Sequence, residues 1–193
     1  MFLYRDWTEV ESRATRRYLT IDTAISKTAG SDYTGLVRNY VDRENRWNLK
    51  AHRAKLSPLE LIDLLFTLHN EDHYDKIGIE ETVYLDAIKP FLDQEMRVRN
   101  RFLPIVPLKH NRVAKELRIR SLLPRYESHS IYHIKGECND LEEEALRFPK
   151  GVHDDVIDAA AYQTQIAAAP TMHKNIYRNK PNRAEMVNRV STY

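Results

Sequence analysis

Three carboxylates fall within five residues at Asp154, Asp155 and Asp158, at the head of an alanine-rich run over residues 151–162. Val156, Ile157, Ala160, Ala161 and Ile166 recur there with a helical period, so the run reads as a helix with one buried face. At about 100° per residue, the three acids span about a quarter turn beside that face. Acids crowded against a buried surface repel one another unless a cation joins them. The plainer alternative is an acidic helix start, where Asp is favoured by unpaired N–H groups and the macrodipole. Further carboxylates arriving from elsewhere would decide for chemistry. Asp22 and Glu80 are the candidates, each closing a β-rich run directly after an isoleucine. Asp22, Glu80 and the Asp155/Asp158 pair offer only hard oxygen ligands, without a cage of Cys or His. That set favours Mg²⁺ or Mn²⁺ over zinc. Two such ions about 3.5–4 Å apart can activate a water and stabilise the leaving oxygen in phosphodiester hydrolysis.

The elements that would position these acids follow from the pattern. Residues 17–22, 33–40 and 46–54 read as three strands of an antiparallel meander, with the polar loop 26–32 after the first and a turn at 42–45. Ser57, Pro58 and Glu60 mark a helix start with a capping box. A short strand at 75–80 is followed by a helix over 83–96, bent at Pro90. An apolar strand at 102–108, a basic amphipathic helix at 114–123, a strand at 131–134 and a helix at 140–147 lead to the acidic helix, which runs to about residue 168. The order, a meander and then alternating β and α, calls for a mixed α/β sheet with helices on both faces. Acids at neighbouring strand ends and at a helix start then converge on one sheet edge, where ligands usually sit. Residues 1–15 read as a lead-in, 16–169 as the domain and 170–193 as a basic tail.

Composition narrows the function classes. With 42% apolar and 30% charged residues the chain has the make-up of a soluble domain. Net charge is only +2, so any affinity for nucleic acid must be local. The single Cys138 excludes an internal disulfide. No apolar run is long enough to span a membrane, and no membrane partner is expected. Phosphate-binding loops, dinucleotide fingerprints, paired CxxC motifs and GxSxG elbows are all absent from the sequence.

Several stretches together resemble the C-terminal nuclease domain of the large terminase subunit of tailed bacteriophages, a branch of the ribonuclease H-like superfamily. They are Tyr18-Leu19-Thr20-Ile21-Asp22-Thr23-Ala24, Ile77-Gly78-Ile79-Glu80, the helix of Lys115-Glu116-Leu117-Arg118-Ile119, and Phe148-Pro149 leading through Gly151 into His153-Asp154-Asp155 and Asp158-Ala159. The last block is the most specific, and the whole covers residues 16–168. The resemblance implies a ribonuclease H-like fold and a two-metal endonuclease that cuts concatemeric viral DNA during genome packaging in the host cytoplasm. It implies that Asp22, Glu80 and an acid of the 154–158 cluster hold Mg²⁺ or Mn²⁺. Its implied partners are double-stranded DNA, a packaging ATPase domain, a small terminase subunit and a portal. The family's ATPase is missing from this sequence, so the chain reads as an excised nuclease domain or a standalone nuclease. A junction resolvase and a non-catalytic docking module are the competing functions.

Some assignments stay open at this level. Glu80 and Glu81 are adjacent and the pleat sends them to opposite faces. Glu80 is preferred because it follows Ile79 as Asp22 follows Ile21. Asp155 and Asp158 are the leading pair of the cluster, Asp155 first, with Asp154 a third ligand or a helix cap. DNA contact is assigned to the basic segment of Lys109, Arg112, Lys115, Arg118 and Arg120, against the alternative of a solvated helix face. Contacts of this kind neutralise phosphates without reading bases.

Overall fold

The computed structural model describes residues 1–23, 33–109 and 113–169. Residues whose side chains alternate in polarity make the sheet. Strands β2 (Arg16–Asp22), β3 (Thr34–Val41) and β4 (Trp47–Ala54) form the expected antiparallel meander. β5 (Lys76–Glu80) lies parallel to β2 on its other side, and β6 (Ile105–Leu108) lies parallel to β5. Beyond β4, β7 (Ile131–Ile134) runs parallel to it. The residues expected as a lead-in enter the sheet too: β1 (Tyr4–Arg5) pairs in parallel with β7, and α1 (Trp7–Arg13) follows. Among the described residues the sheet therefore has seven strands in the order β1-β7-β4-β3-β2-β5-β6.

Helices cover both faces. α2 (Pro58–Asp72) starts on the Ser57 capping box, with Glu60 closing it by accepting from the Ser57 N–H. Together with α3 (Val83–Val98), it buries Leu61, Leu65, Ile88 and Leu92 against Leu19, Ile21, Ile77 and Ile79. The opposite face takes α4 (Lys115–Arg120), α6 (Asn139–Arg147) and α7 (Asp155–Ile166), packed on Tyr18, Val37, Leu49 and Ala51. The basic helix expected over 114–123 stops at Arg120, and α5 (Leu123–Glu127) begins anew. Pro124 has no N–H to give the Arg120 carbonyl, so the ladder breaks there. No helix among the described residues is long and apolar enough to cross a membrane.

The strand period decides which way the acids face. Leu19 and Ile21 point into the α2–α3 core and Tyr18 into the α7 core, so Asp22 falls on the α7 face. In β5, Ile77 and Ile79 again face α2–α3, which turns Glu80 toward α7.

Candidate active site

α7 is fastened across β2 and β3 by buried polar bonds. The Thr20 hydroxyl donates to the Ala159 carbonyl at 2.6 Å, and Gln163 Nε2 donates to Thr20 Oγ1 and the Val37 carbonyl, both at 2.9 Å. At its head the helix crosses Gly35 so closely that a Cβ there would lie 2.3 Å from the Asp155 carbonyl oxygen. Asp154 occupies the N-cap position without a side-chain cap bond. Capping comes instead from Glu144 of α6, which is buried and accepts from the Ile157 N–H at 2.9 Å. Burial is the main cause that pushes the Glu144 carboxyl up to about 7.

The two strand-end acids meet under this helix. Register pairs Ile21 with Ile79, so Asp22 and Glu80 follow side by side, both buried, and their carboxyls share a hydrogen bond. Burial raises the Asp22 carboxyl to about 9, with Glu80 and then Asp158 adding repulsion. Tyr162 donates its hydroxyl to Glu80 Oε1 at 2.7 Å; burial first and this bond second hold its phenol far above the ordinary range. Glu81 is exposed and faces Lys109 at 3.7 Å.

Within the 154–158 cluster, the charge of Asp158 reaches Asp22. Both Asp158 oxygens accept from Arg118, Nε at 2.7 Å and Nη2 at 2.6 Å, and the guanidinium lies 4.5 Å over the Tyr162 ring. Lys115 Nζ sits 2.8 Å from Asp154 and 3.4 Å from Asp158. Burial opposes its charge, while the bond to Asp154 and the pull of Asp158 and Asp22 raise its pKa. Asp155 is half-buried, near enough to Glu144 to raise it. His153 meets the edge of the Tyr33 ring at 5.2 Å.

The structure therefore brings Asp22, Glu80 and Asp158 together, with Asp154 joined through Lys115. It revises the reading of the basic segment. Arg118 is 7% exposed and faces Asp158 instead of solvent, and Lys115 faces the acids too. Lys109 and Arg120 are exposed, whereas Arg112 and the tail lie outside the described residues. Tyr162 and Glu144 were missed as site residues. Tyr162 was within reach of the spacing argument, one helical turn after Asp158; Glu144 was not, because its role depends on how α6 folds back on α7.

Among the described residues, no three acidic, His or Cys side chains stand as a preformed metal cage. The donor set nevertheless fits a hard divalent cation. It is all carboxylate oxygen, burial and then the neighbouring Glu80 and Asp158 carboxyls disfavour an uncompensated charge on Asp22, and a lysine ammonium already sits between Asp154 and Asp158.

A mixed sheet whose antiparallel meander continues into parallel strands, with helices on both faces, is the ribonuclease H-like fold. Among solved structures, the chain is similar to the large terminase nuclease from thermophilic phage G20c with bound zinc. That match has 17% identity and a TM-score of 0.55 over 79% of this chain and 85% of that one. The HK97 bacteriophage large terminase matches at 11% identity and a TM-score of 0.46, over 61% of this chain and 29% of that one. The fowlpox virus Holliday junction resolvase matches at 12% and 0.47, over 77% and 94%. No protein-family model and no curated protein sequence matches the chain. The fold is thus similar to that of the large terminase nuclease from phage G20c.

Proposed function

We propose that this chain is a divalent-metal-dependent DNA endonuclease that acts in phage genome packaging. The observation that carries the reading is the convergence of Asp22, Glu80 and Asp158 around cationic side chains at one sheet end. Asp22 and Glu80, with Asp158 or its neighbours Asp154 and Asp155, would hold Mg²⁺ or Mn²⁺. Such ions supply Lewis acidity that activates a water and stabilises the leaving oxygen of a phosphodiester. The chain's own residues prepare the place. Arg118 fixes Asp158, Tyr162 fixes Glu80, and the Thr20–Gln163 bonds keep α7 in register with the strands. Double-stranded DNA is the proposed substrate. A packaging ATPase, a small terminase subunit and a portal are the proposed partners, in the host cytoplasm.

Plasmid nicking tests the reading. Cleavage should appear with Mn²⁺ or Mg²⁺, vanish in EDTA, and be abolished by Asp22→Asn with the fold retained by circular dichroism. Activity that survives in EDTA would remove the metal from the mechanism. Comparing linear with four-way-junction DNA separates packaging cleavage from resolvase activity.

A further inference from the structure

Two cations enter the acid cluster from one face of α4, and they are held in different ways. Arg118 is buried, uses two nitrogens on both oxygens of Asp158, and lies over Tyr162. Withdrawing it would strand a buried carboxylate, so it is a fixed part of the scaffold. Lys115, one turn earlier, has a 37% exposed side chain and a single ammonium on a flexible four-carbon stem. That ammonium touches Asp154, whose side chain is 46% exposed, and Asp158. It also feels the charge of Asp22. A compact positive charge between the carboxylates of Asp154 and Asp158 occupies the kind of place a hard divalent ion takes, and its partly exposed stem gives it a way out to solvent.

We propose that Lys115 is a displaceable internal cation: its ammonium stands in for a divalent ion between Asp154 and Asp158, leaves when that ion enters, and is then free to take a DNA phosphate. This rests on the nuclease reading and goes beyond it in assigning an order of events. The metal-free cluster is neutralised from within, so the chain folds without metal. Ion entry then releases a phosphate-binding group at the site's rim, which couples metal binding to DNA binding. By linkage, each raises the affinity for the other.

The test is Mn²⁺ titration by calorimetry without DNA, on the wild-type chain, Lys115→Met and Lys115→Gln. Arg120→Met is the charge control, since Arg120 lies on the same helix but pairs outward with Glu116. Both Lys115 variants should bind Mn²⁺ about fivefold tighter, the scale of a partly exposed ion pair, while Arg120→Met stays within about twofold. Lys115→Met should also melt lower than wild type in EDTA and level with it in saturating Mn²⁺. If Lys115→Met does not fold, Lys115→Gln, which keeps a donor toward Asp154, decides alone. Unchanged affinity in the Lys115 variants, or equal tightening in Arg120→Met, would overturn the inference and leave the nuclease reading standing. Binding heat undiminished by Asp158→Asn would place the ion elsewhere and overturn both.

Discussion

Asp22 links acidity to stability in a direction that most carboxylates do not. Its ordinary value is about 3.9, and burial beside Glu80 and Asp158 pushes it up to about 9. Below pH 4 both folded and unfolded chains hold the proton. Between about pH 4 and 9 the unfolded chain has lost it while the folded chain keeps it, so stability drains as pH rises through that window. In EDTA the melting midpoint should therefore fall from pH 5 to 9, and Asp22→Asn should flatten the profile. The variant should melt several degrees higher than wild type at pH 8, at about 2–4 °C per kcal/mol. Fluorimetric melts across that range check this, and a wild-type profile as flat as the variant's would refute it. Arg118 gives the opposite result. Arg118→Ala leaves Asp158 buried without its fork of donors, and the cost should be about 3–5 kcal/mol in urea unfolding. A loss under about 1 kcal/mol would mean that the guanidinium is a solvated contact after all. Sequence spacing alone placed this arginine with the DNA-binding cations, because a helix wheel shows which residues share a face but not what that face meets.

Elements that carry their own signals were legible, and those defined by a crossing were not. The Ser57-Pro58-Glu60 start of α2 is written in adjacent residues, and the meander in period-two alternation. That Glu80 turns toward α7 beside Asp22 while Glu81 is exposed was readable from strand parity once Ile79 was taken as core. Gly35 gave no such signal: it sits inside a strand, and the reason for it lies at the head of α7, far along the chain. A methyl there would press on the Asp155 carbonyl oxygen and carbon at 2.3 and 2.5 Å, and neither helix nor strand backbone has room to yield. Gly35→Ala should destabilise the fold by about 1–3 kcal/mol, as overpacking does, and should reduce cleavage further than stability explains, because α7 carries Asp158. Activity measured well below the melting midpoint separates the two effects; full activity there would show that the helix head can shift freely.

For the molecule as a whole, charge must be segregated, since the net is only +2. With Arg118 turned inward, and Lys115 held by the acids until a metal displaces it, the described cations of the basic segment that face outward in the metal-free chain are Lys109 and Arg120, in exposed pairs with Glu81 and Glu116. Replacing both with Ala should weaken duplex binding similarly across sequences and flatten the log–log salt slope by about 1–2. An unchanged slope in fluorescence anisotropy titrations would move the DNA path to another face.

The position of β1 has a consequence for the order in which the sheet closes. The meander can close within the first 54 residues, but Tyr4 and Arg5 pair with His133 and Ile134. Arg5 is meanwhile a buried anchor, donating to Asp42 at 3.1 Å and Asn48 at 2.9 Å. β1 precedes the meander in sequence yet cannot dock until β7 is present, and until it does the outer edge of β7 is an open template for neighbouring chains. Long-range closure of this kind is slow, so the edge of β7 is the part of the sheet that a folding chain leaves open longest.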